Sequence, residues 1–261
     1  MTKTALITGA SAGLGVQFAR LFAQDQISLV LVARREDRLR QLRNELETDF
    51  GIKVDIIPLD LTLASSVSQV VEFLKRHQIE IEYLVNNAGF GQTGSLSDVS
   101  LELNLGQIDL NVRSLTELTY HLLPSMIKNR SGRILNVGST AGDQPGPFMS
   151  VYYASKAYVN SFSEALHYEL KDTGVTVTLS CPGPVLTEFA EVANVENKKL
   201  FEMNAMSAEV VARQAYRAMM RGTRRITHGG RNKLGYHISK LIPRSAVIKI
   251  VARFNSSKRK S

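Results

Sequence analysis

Apolar residues fall along the chain in two kinds of stretch. Short runs without alternation, Thr4 to Thr8 and Ile27 to Ala33, suit strands buried on both faces. Between them Leu14, Phe18, Leu21 and Phe22 recur at helical spacing, so the opening predicts strand, glycine turn, helix, strand. The pattern repeats with a charged helix from about Glu36 to Phe50, a strand at Lys53 to Pro58, a helix near Ala64 to His77 and a strand at Tyr83 to Asn86. Further strands are predicted at Arg133 to Val137, Val175 to Cys181 and near Arg225 to Thr227, and helices over Gln107 to Leu123, from Tyr152 to about Lys171, and after a capping Ser207. Such alternation predicts an α/β fold, one doubly wound parallel sheet of about seven strands with helices on both faces. No repeat or low-complexity linker marks a boundary before about residue 228, so we expect one domain over 1–230 and an extension over 231–261.

Ligands of such sheets bind at the carboxyl ends of the strands, and the polar clusters fall there. Gly9 follows the first strand, Asp60 and Leu61 the third, Asn86 to Gly89 the fourth, Ser139 the fifth and Pro182-Gly183 the sixth. Thr8-Gly9-Ala10-Ser11-Ala12-Gly13-Leu14-Gly15 joins a buried strand to a helix, where glycines let backbone N–H groups approach a diphosphate. A site for NAD would carry Asp or Glu at the end of the second strand to bind the ribose 2′-hydroxyl. Here Ala33-Arg34-Arg35 stands instead, and two guanidiniums suit a 2′-phosphate, so NADP(H) is expected. In Tyr152-Tyr153-Ala154-Ser155-Lys156 the i and i+4 spacing puts Tyr152 and Lys156 on one helical face. An ammonium there would stabilise the phenolate and make Tyr152 a proton donor for a carbonyl.

Taken together, Thr8-Gly9-x-x-x-Gly13-x-Gly15, Asp60-Leu61, Asn86-Asn87-Ala88-Gly89, Asn111, Ser139, Tyr152-x-x-x-Lys156 and Pro182-Gly183-x-Val185-x-Thr187 resemble the short-chain dehydrogenase/reductase family, in its order. Ala33-Arg34-Arg35 and Pro182-Gly183-Pro184-Val185 look most like its DltE-like and ketoacyl-reductase-like bacterial members. The resemblance implies a Rossmann fold, NADP(H) as cofactor, carbonyl/alcohol interconversion and a homo-oligomer. It implies that Tyr152 donates the proton, Lys156 lowers its pKa and holds the nicotinamide ribose, Ser139 bonds the carbonyl oxygen and Asn111 positions a relay water. It further implies that Gly9, Ser11, Ala12, Gly13, Leu14 and Gly15 cradle the diphosphate and that Arg34 and Arg35 meet the 2′-phosphate. Asp60 and Leu61 would flank the adenine, Asn87, Ala88 and Gly89 the adenosine ribose, and Pro182, Gly183, Val185 and Thr187 the nicotinamide end. The segment Thr187 to Ser207 would close over substrate, and its Phe189, Val192, Val195, Leu200, Phe201 and Met203 would form an apolar lid suited to a hydrophobic carbonyl.

Charge changes the picture only at the C-terminus. Of 261 residues with net charge +8, the first 209 carry a net −6 and the last 52 carry +14 with no acid at all. An acidic body argues against nucleic-acid binding. In the extension Val247, Ile248, Ile250, Val251 and Phe254 alternate with Arg244, Lys249 and Arg253, and the chain ends Lys258-Arg259-Lys260-Ser261. Such a helix suits an anionic membrane surface or packs on the body or a second copy, and the spacing leaves these open. The single Cys excludes an internal disulfide, the first apolar run begins at Ala5, leaving no room for a signal peptide, and no run nears bilayer-spanning length, so a cytoplasmic location is expected. The five scattered His lack metal-ligand spacing, and Val137-Gly138-Ser139-Thr140-Ala141 fails the G-x-S-x-G of a hydrolase elbow at both glycines. A cofactor-binding scaffold or redox sensor without turnover is the alternative function.

Overall fold

The computed structural model describes residues 3–193, 205–239 and 241–256. Strands β1 (Thr4–Thr8), β2 (Ser28–Ala33), β3 (Val54–Pro58), β4 (Tyr83–Asn86), β5 (Gly132–Val137), β6 (Val175–Cys181) and β9 (Arg225–Thr227) form one sheet in the order β3-β2-β1-β4-β5-β6-β9. Every pairing is parallel, with Thr8 beside Val32 and Asn86 beside Asn136. A small parallel pair, β7 (Val185–Leu186) with β8 (Met206–Ser207), lies outside it.

Successive residues of a strand face opposite sides, and here both sides are covered, which is why the runs are continuously apolar. Ile7, Leu29 and Leu31 meet Phe18 and Phe22 of α1 (Gly13–Gln24), Leu39 and Leu46 of α2 (Glu36–Phe50) and Ala215 and Met219 of α8 (Ala208–Met220). Leu6, Val30, Leu84 and Ile134 meet Val70 of α3 (Ser66–Arg76), Leu118 and Met126 of α5 (Leu115–Lys128) and Leu166 of α6 (Ser150–Glu169). Each such side chain contributes about 1.5–3 kcal/mol by leaving water. Ser207 caps α8 by accepting from Val210 N at 3.3 Å, as its sequence position predicts. The chain leaves β3 at the sheet edge and returns to β4 on the other side of β1, opening a crevice at the strand ends.

The segment predicted as one helix over Gln107 to Leu123 is built differently. Helix α4 (Leu101–Ile108) starts earlier because Ser100 caps it, accepting from Leu103 N at 3.3 Å. A π-type stretch, Asp109–Ser114, then widens the turn before α5. At the C-terminus α9 (Gly230–Ser239) and α10 (Arg244–Asn255) flank Pro243, which has no N–H to continue a helix. Val247 and Val251 of α10 are buried against the body, and Asn255 donates to Pro147 O at 3.0 Å and accepts from Tyr153 Oη at 3.5 Å. The outer side leaves Leu234, Leu241 and Ile250 exposed.

Candidate active site

The turn after β1 is shaped by backbone that only glycine tolerates. Gly9 and Gly13 have φ of +67° and +54°, and a Cβ on Gly15 would lie 2.2 Å from Gly9 O. The turn is stitched to the end of β4: Thr8 Oγ1 accepts from Asn87 N and Ala88 N, both at 3.0 Å, and Asn87 Nδ2 donates to Thr8 O at 2.9 Å. Helix α1 begins at Gly13, and the preceding Ala12 has no side chain to cap it. Its first N–H groups therefore face the crevice, an anion-binding arrangement. A cleft of about 960 Å³ runs from this turn, past Asp60, Leu61 and Gly89, to Tyr152 and Pro182. The cradle fits a dinucleotide: a Cβ on Gly9 would press Asn87 Nδ2 at 2.8 Å, and one on Gly13 would press Thr187 at 2.8 Å.

Arg34 and Arg35 line the cleft just beyond β2. Arg34 Nη1 lies 3.7 Å from Asp60 Oδ2, while Arg35 donates to Ser11 Oγ at 3.2 Å and to Glu188 Oε2 at 2.8 Å. Glu36 is turned along α2, where it accepts from Arg40, so it presents no carboxylate to the ribose position. Among the described residues no group of three or more His, Cys, Asp or Glu is placed to hold a metal ion.

At the other end α6 brings Tyr152 and Lys156 to the cleft. Lys156 is buried, donates to Val137 O at 2.8 Å and lies 6.0 Å from the Tyr152 ring centre. Burial lowers its pKa to about 8. Burial also pushes the Tyr152 phenol up to about 12, against the opposing effect of its hydrogen bond with Ser139. The sequence expectation that Lys156 lowers the Tyr152 pKa is therefore not met in the protein alone, where desolvation dominates and the ammonium is turned to a carbonyl. Asn111, delivered by the π-type stretch, accepts from Phe90 N at 3.1 Å and donates to Phe90 O at 2.9 Å and Ser155 Oγ at 3.0 Å. A Cβ on Gly89 would touch both Asn111 Oδ1 and Lys156 Nζ, so the two flank one point.

Sequence reasoning missed the support beneath Ser139. Asn160 donates to Ser139 O at 3.0 Å and to Asp143 Oδ1 at 3.2 Å, and Asp143 is held by Arg225 at 2.7 Å in a buried ion pair. Asn160 lies four residues beyond Lys156, and that i+4 spacing was the available signal. Pro182, Gly183, Val185 and Thr187 line the cleft, as does Phe189, whose ring centre is 5.4 Å from that of Tyr152. Val192 also lines it, whereas Val195, Leu200, Phe201 and Met203 of the expected lid lie outside the described residues. Cys181 is buried with its pKa raised to about 12 by desolvation, an unreactive thiol.

A family model described as short chain dehydrogenase matches residues 3–198. The chain belongs to this family. It is 40% identical over 183 residues to ketoacyl reductase HetN of Nostoc sp., an alignment covering 70% of this chain and 63% of HetN. It is 39% identical over 194 residues to sulfoacetaldehyde reductase 2 of Chromohalobacter salexigens, covering 74% of this chain and 76% of that one. A solved short-chain dehydrogenase from Sphingobium yanoikuyae in complex with NADPH superposes with a TM-score of 0.81 at 29% identity, covering 98% and 99% of the two chains. This short-chain dehydrogenase is an NADPH-dependent oxidoreductase that interconverts a carbonyl and an alcohol on a small molecule. Nothing in these likenesses favours a catalytically silent scaffold.

Proposed function

We propose that this short-chain dehydrogenase reduces a hydrophobic ketone or aldehyde, with Tyr152 as proton donor. The observation that carries this reading is that the cleft wall holding Ser139 and Tyr152 continues into Phe90, Met149, Phe189, Val192, Val251 and Phe254. Among the described lining residues the cations are Arg34 and Arg35, at the end of β2, and Lys156 beside Tyr152. The residues that would hold NADP(H) are the Gly9 to Gly15 cradle, Arg34 and Arg35, Asp60 and Leu61, Asn87 to Gly89, and Pro182, Gly183, Val185 and Thr187. When bound, the cofactor supplies the hydride.

The chain's own residues handle the charge that builds on the substrate oxygen. Ser139 and Tyr152 present hydroxyl donors where that charge appears. A phenol at about 12 keeps its proton through neutral pH, so Tyr152 stands ready for reduction. Once the proton has left, the buried Lys156 ammonium stabilises the phenolate, and Asn111 positions the water that returns a proton. Lys156 also holds the nicotinamide ribose, and Asn160 with Asp143 and Arg225 fixes the backbone of Ser139.

Residues 231–261 act as an extension built onto the domain 1–230. The exposed Leu234, Leu241 and Ile250, set among Lys249, Arg253 and other cations without acids, support peripheral contact with an anionic membrane. No described helix is long and apolar enough to cross a membrane. A cytoplasmic homo-oligomer is part of the reading, supported by the exposed Leu101, Leu105, Ile108 and Tyr120 on α4 and α5.

The test is kcat/KM with NADPH over straight-chain carbonyls of increasing length. Each added methylene against an apolar wall is worth about 0.8 kcal/mol, roughly fourfold, until the wall is filled. A flat or falling series would remove the hydrophobic-substrate reading.

A further inference from the structure

Arg35 sits at the end of β2 with all three of its nitrogens engaged. Its Nε donates to Ser11 Oγ at 3.2 Å, its Nη2 to Ser11 O at 3.4 Å and its Nη1 to Glu188 Oε2 at 2.8 Å. Arg38 donates to the other carboxylate oxygen, Glu188 Oε1, at 2.5 Å. Glu188 comes from the opposite lip of the cleft, 153 residues along the chain from Arg35. Its neighbours fix it there: Thr187 abuts Gly13 of the glycine turn, and Phe189 packs on the Tyr152 ring. Glu188 is 40% exposed on its side chain, so water was available to it as a partner, yet it spans the cleft to two guanidiniums. That pairing holds its pKa below the usual carboxylate range, the Arg38 hydrogen bond contributing most and the Arg35 hydrogen bond next.

Two guanidiniums converging on one anion, with the Ser11 hydroxyl bonded to one of them, are the donor set of a phosphate site. We propose that Glu188 is a stand-in anion in the 2′-phosphate seat, displaced from Arg35 when NADP(H) binds, and so a specificity-determining residue for the cofactor. The proposal rests on the NADP(H) reading and deepens it. A phosphate held by Arg35 and Ser11 and a carboxylate held by the same guanidinium would be like charges a few ångströms apart, so one yields. NAD(H) offers only a hydroxyl at that place, a neutral group that does not draw a guanidinium from a carboxylate. Glu188 therefore opposes only the phosphorylated cofactor, and it sets the NADPH affinity below what Arg35 and Ser11 alone would give.

The experiment measures NADPH and NADH binding by nicotinamide fluorescence in the full-length protein, Glu188→Gln, Arg35→Ala and the double variant. Exchanging partly exposed ion pairs moves affinity modestly, so Glu188→Gln is expected to tighten NADPH by about three- to fivefold while NADH moves by less than about twofold. In the Arg35→Ala background the gain from Glu188→Gln should vanish, because the contested guanidinium is gone. If Glu188→Gln weakens both cofactors alike, the carboxylate straps the cofactor down and the proposal is overturned. Equal tightening of both would overturn it too, as a merely structural effect. A wild-type protein that binds NADH but not NADPH would instead overturn the NADP(H) reading on which the proposal rests.

Discussion

Replacing Lys156 with Met removes a buried charge while keeping a long, flexible side chain in its place. The fall of the Lys156 pKa from 10.5 to about 8 corresponds to about 3 kcal/mol against the ammonium in the folded protein. Met also leaves Val137 O without the donor that now reaches it at 2.8 Å, a loss of about 2 kcal/mol. At pH 7 the variant should therefore be more stable than the parent by about 1 kcal/mol, although it loses activity. The sign reverses at high pH. Between about 8 and 10.5 the folded parent has released the Lys156 proton while its unfolded chain still binds one, so its stability climbs with pH by about 1.4 kcal/mol per unit. The Met variant has no such gain and should be about 2 kcal/mol less stable than the parent at pH 10. Urea unfolding of both proteins at pH 7, 8, 9 and 10 measures this. Curves that run parallel across the range would refute the reasoning, because they would show that Lys156 carries no burial penalty.

Two other perturbations read different parts of the account. His228 is fully buried, bonded to Ser180 and Gln214, and its pKa is lowered from 6.5 to about 4 by burial. The neutral ring's contribution is complete above pH 6.5 and is lost as pH falls toward 4, so the unfolding free energy from urea titration should drop by about 3 kcal/mol over that window, and His228→Gln should abolish the drop. Arg225→Ala removes the cation from the largely enclosed Asp143 carboxylate, leaving it only the Asn160 amide, and should destabilise the fold by about 2–3 kcal/mol, while Arg225→Lys should restore part of kcat through Ser139, checked by urea unfolding and turnover.

Much of the sheet was legible because strands covered on both faces tend to be apolar throughout, as Leu29 to Ala33 are, while Val175 to Cys181 reads as a strand with Thr176, Thr178 and Ser180 interleaved. The glycine turn was legible because positive φ and close backbone approach leave little choice of residue, as Gly9, Gly13 and Gly15 show. Tyr152 and Lys156 could be paired from i+4 spacing alone. The π-type stretch at Asp109–Ser114 was not legible, since helical periodicity passes through a widened turn nearly unchanged. Asp143 and Arg225 meet across 82 residues, and Arg35 and Glu188 across 153, distances that only the assembled sheet closes. The stripe on α10 left open what it meets, and the buried Val247 and Val251, with Asn255 bonded to Pro147 O, show that part of it packs on the body, where Val251 and Asn255 line the cleft. The Tyr152 pKa was expected to fall through its neighbour, whereas the low-dielectric setting that makes the Lys156 charge useful also desolvates the phenol.

The most direct test of the central claim is loss of NADPH absorbance with a medium-chain carbonyl in the parent and in Tyr152→Phe, alongside NADPH binding to both. Loss of a general acid is expected to cut kcat by about 100- to 10,000-fold. NADPH affinity should change far less, because the phenylalanine keeps the ring that lines the cleft. A Tyr152→Phe protein that turns over as fast as the parent would show that the proton comes from elsewhere and would contradict the account.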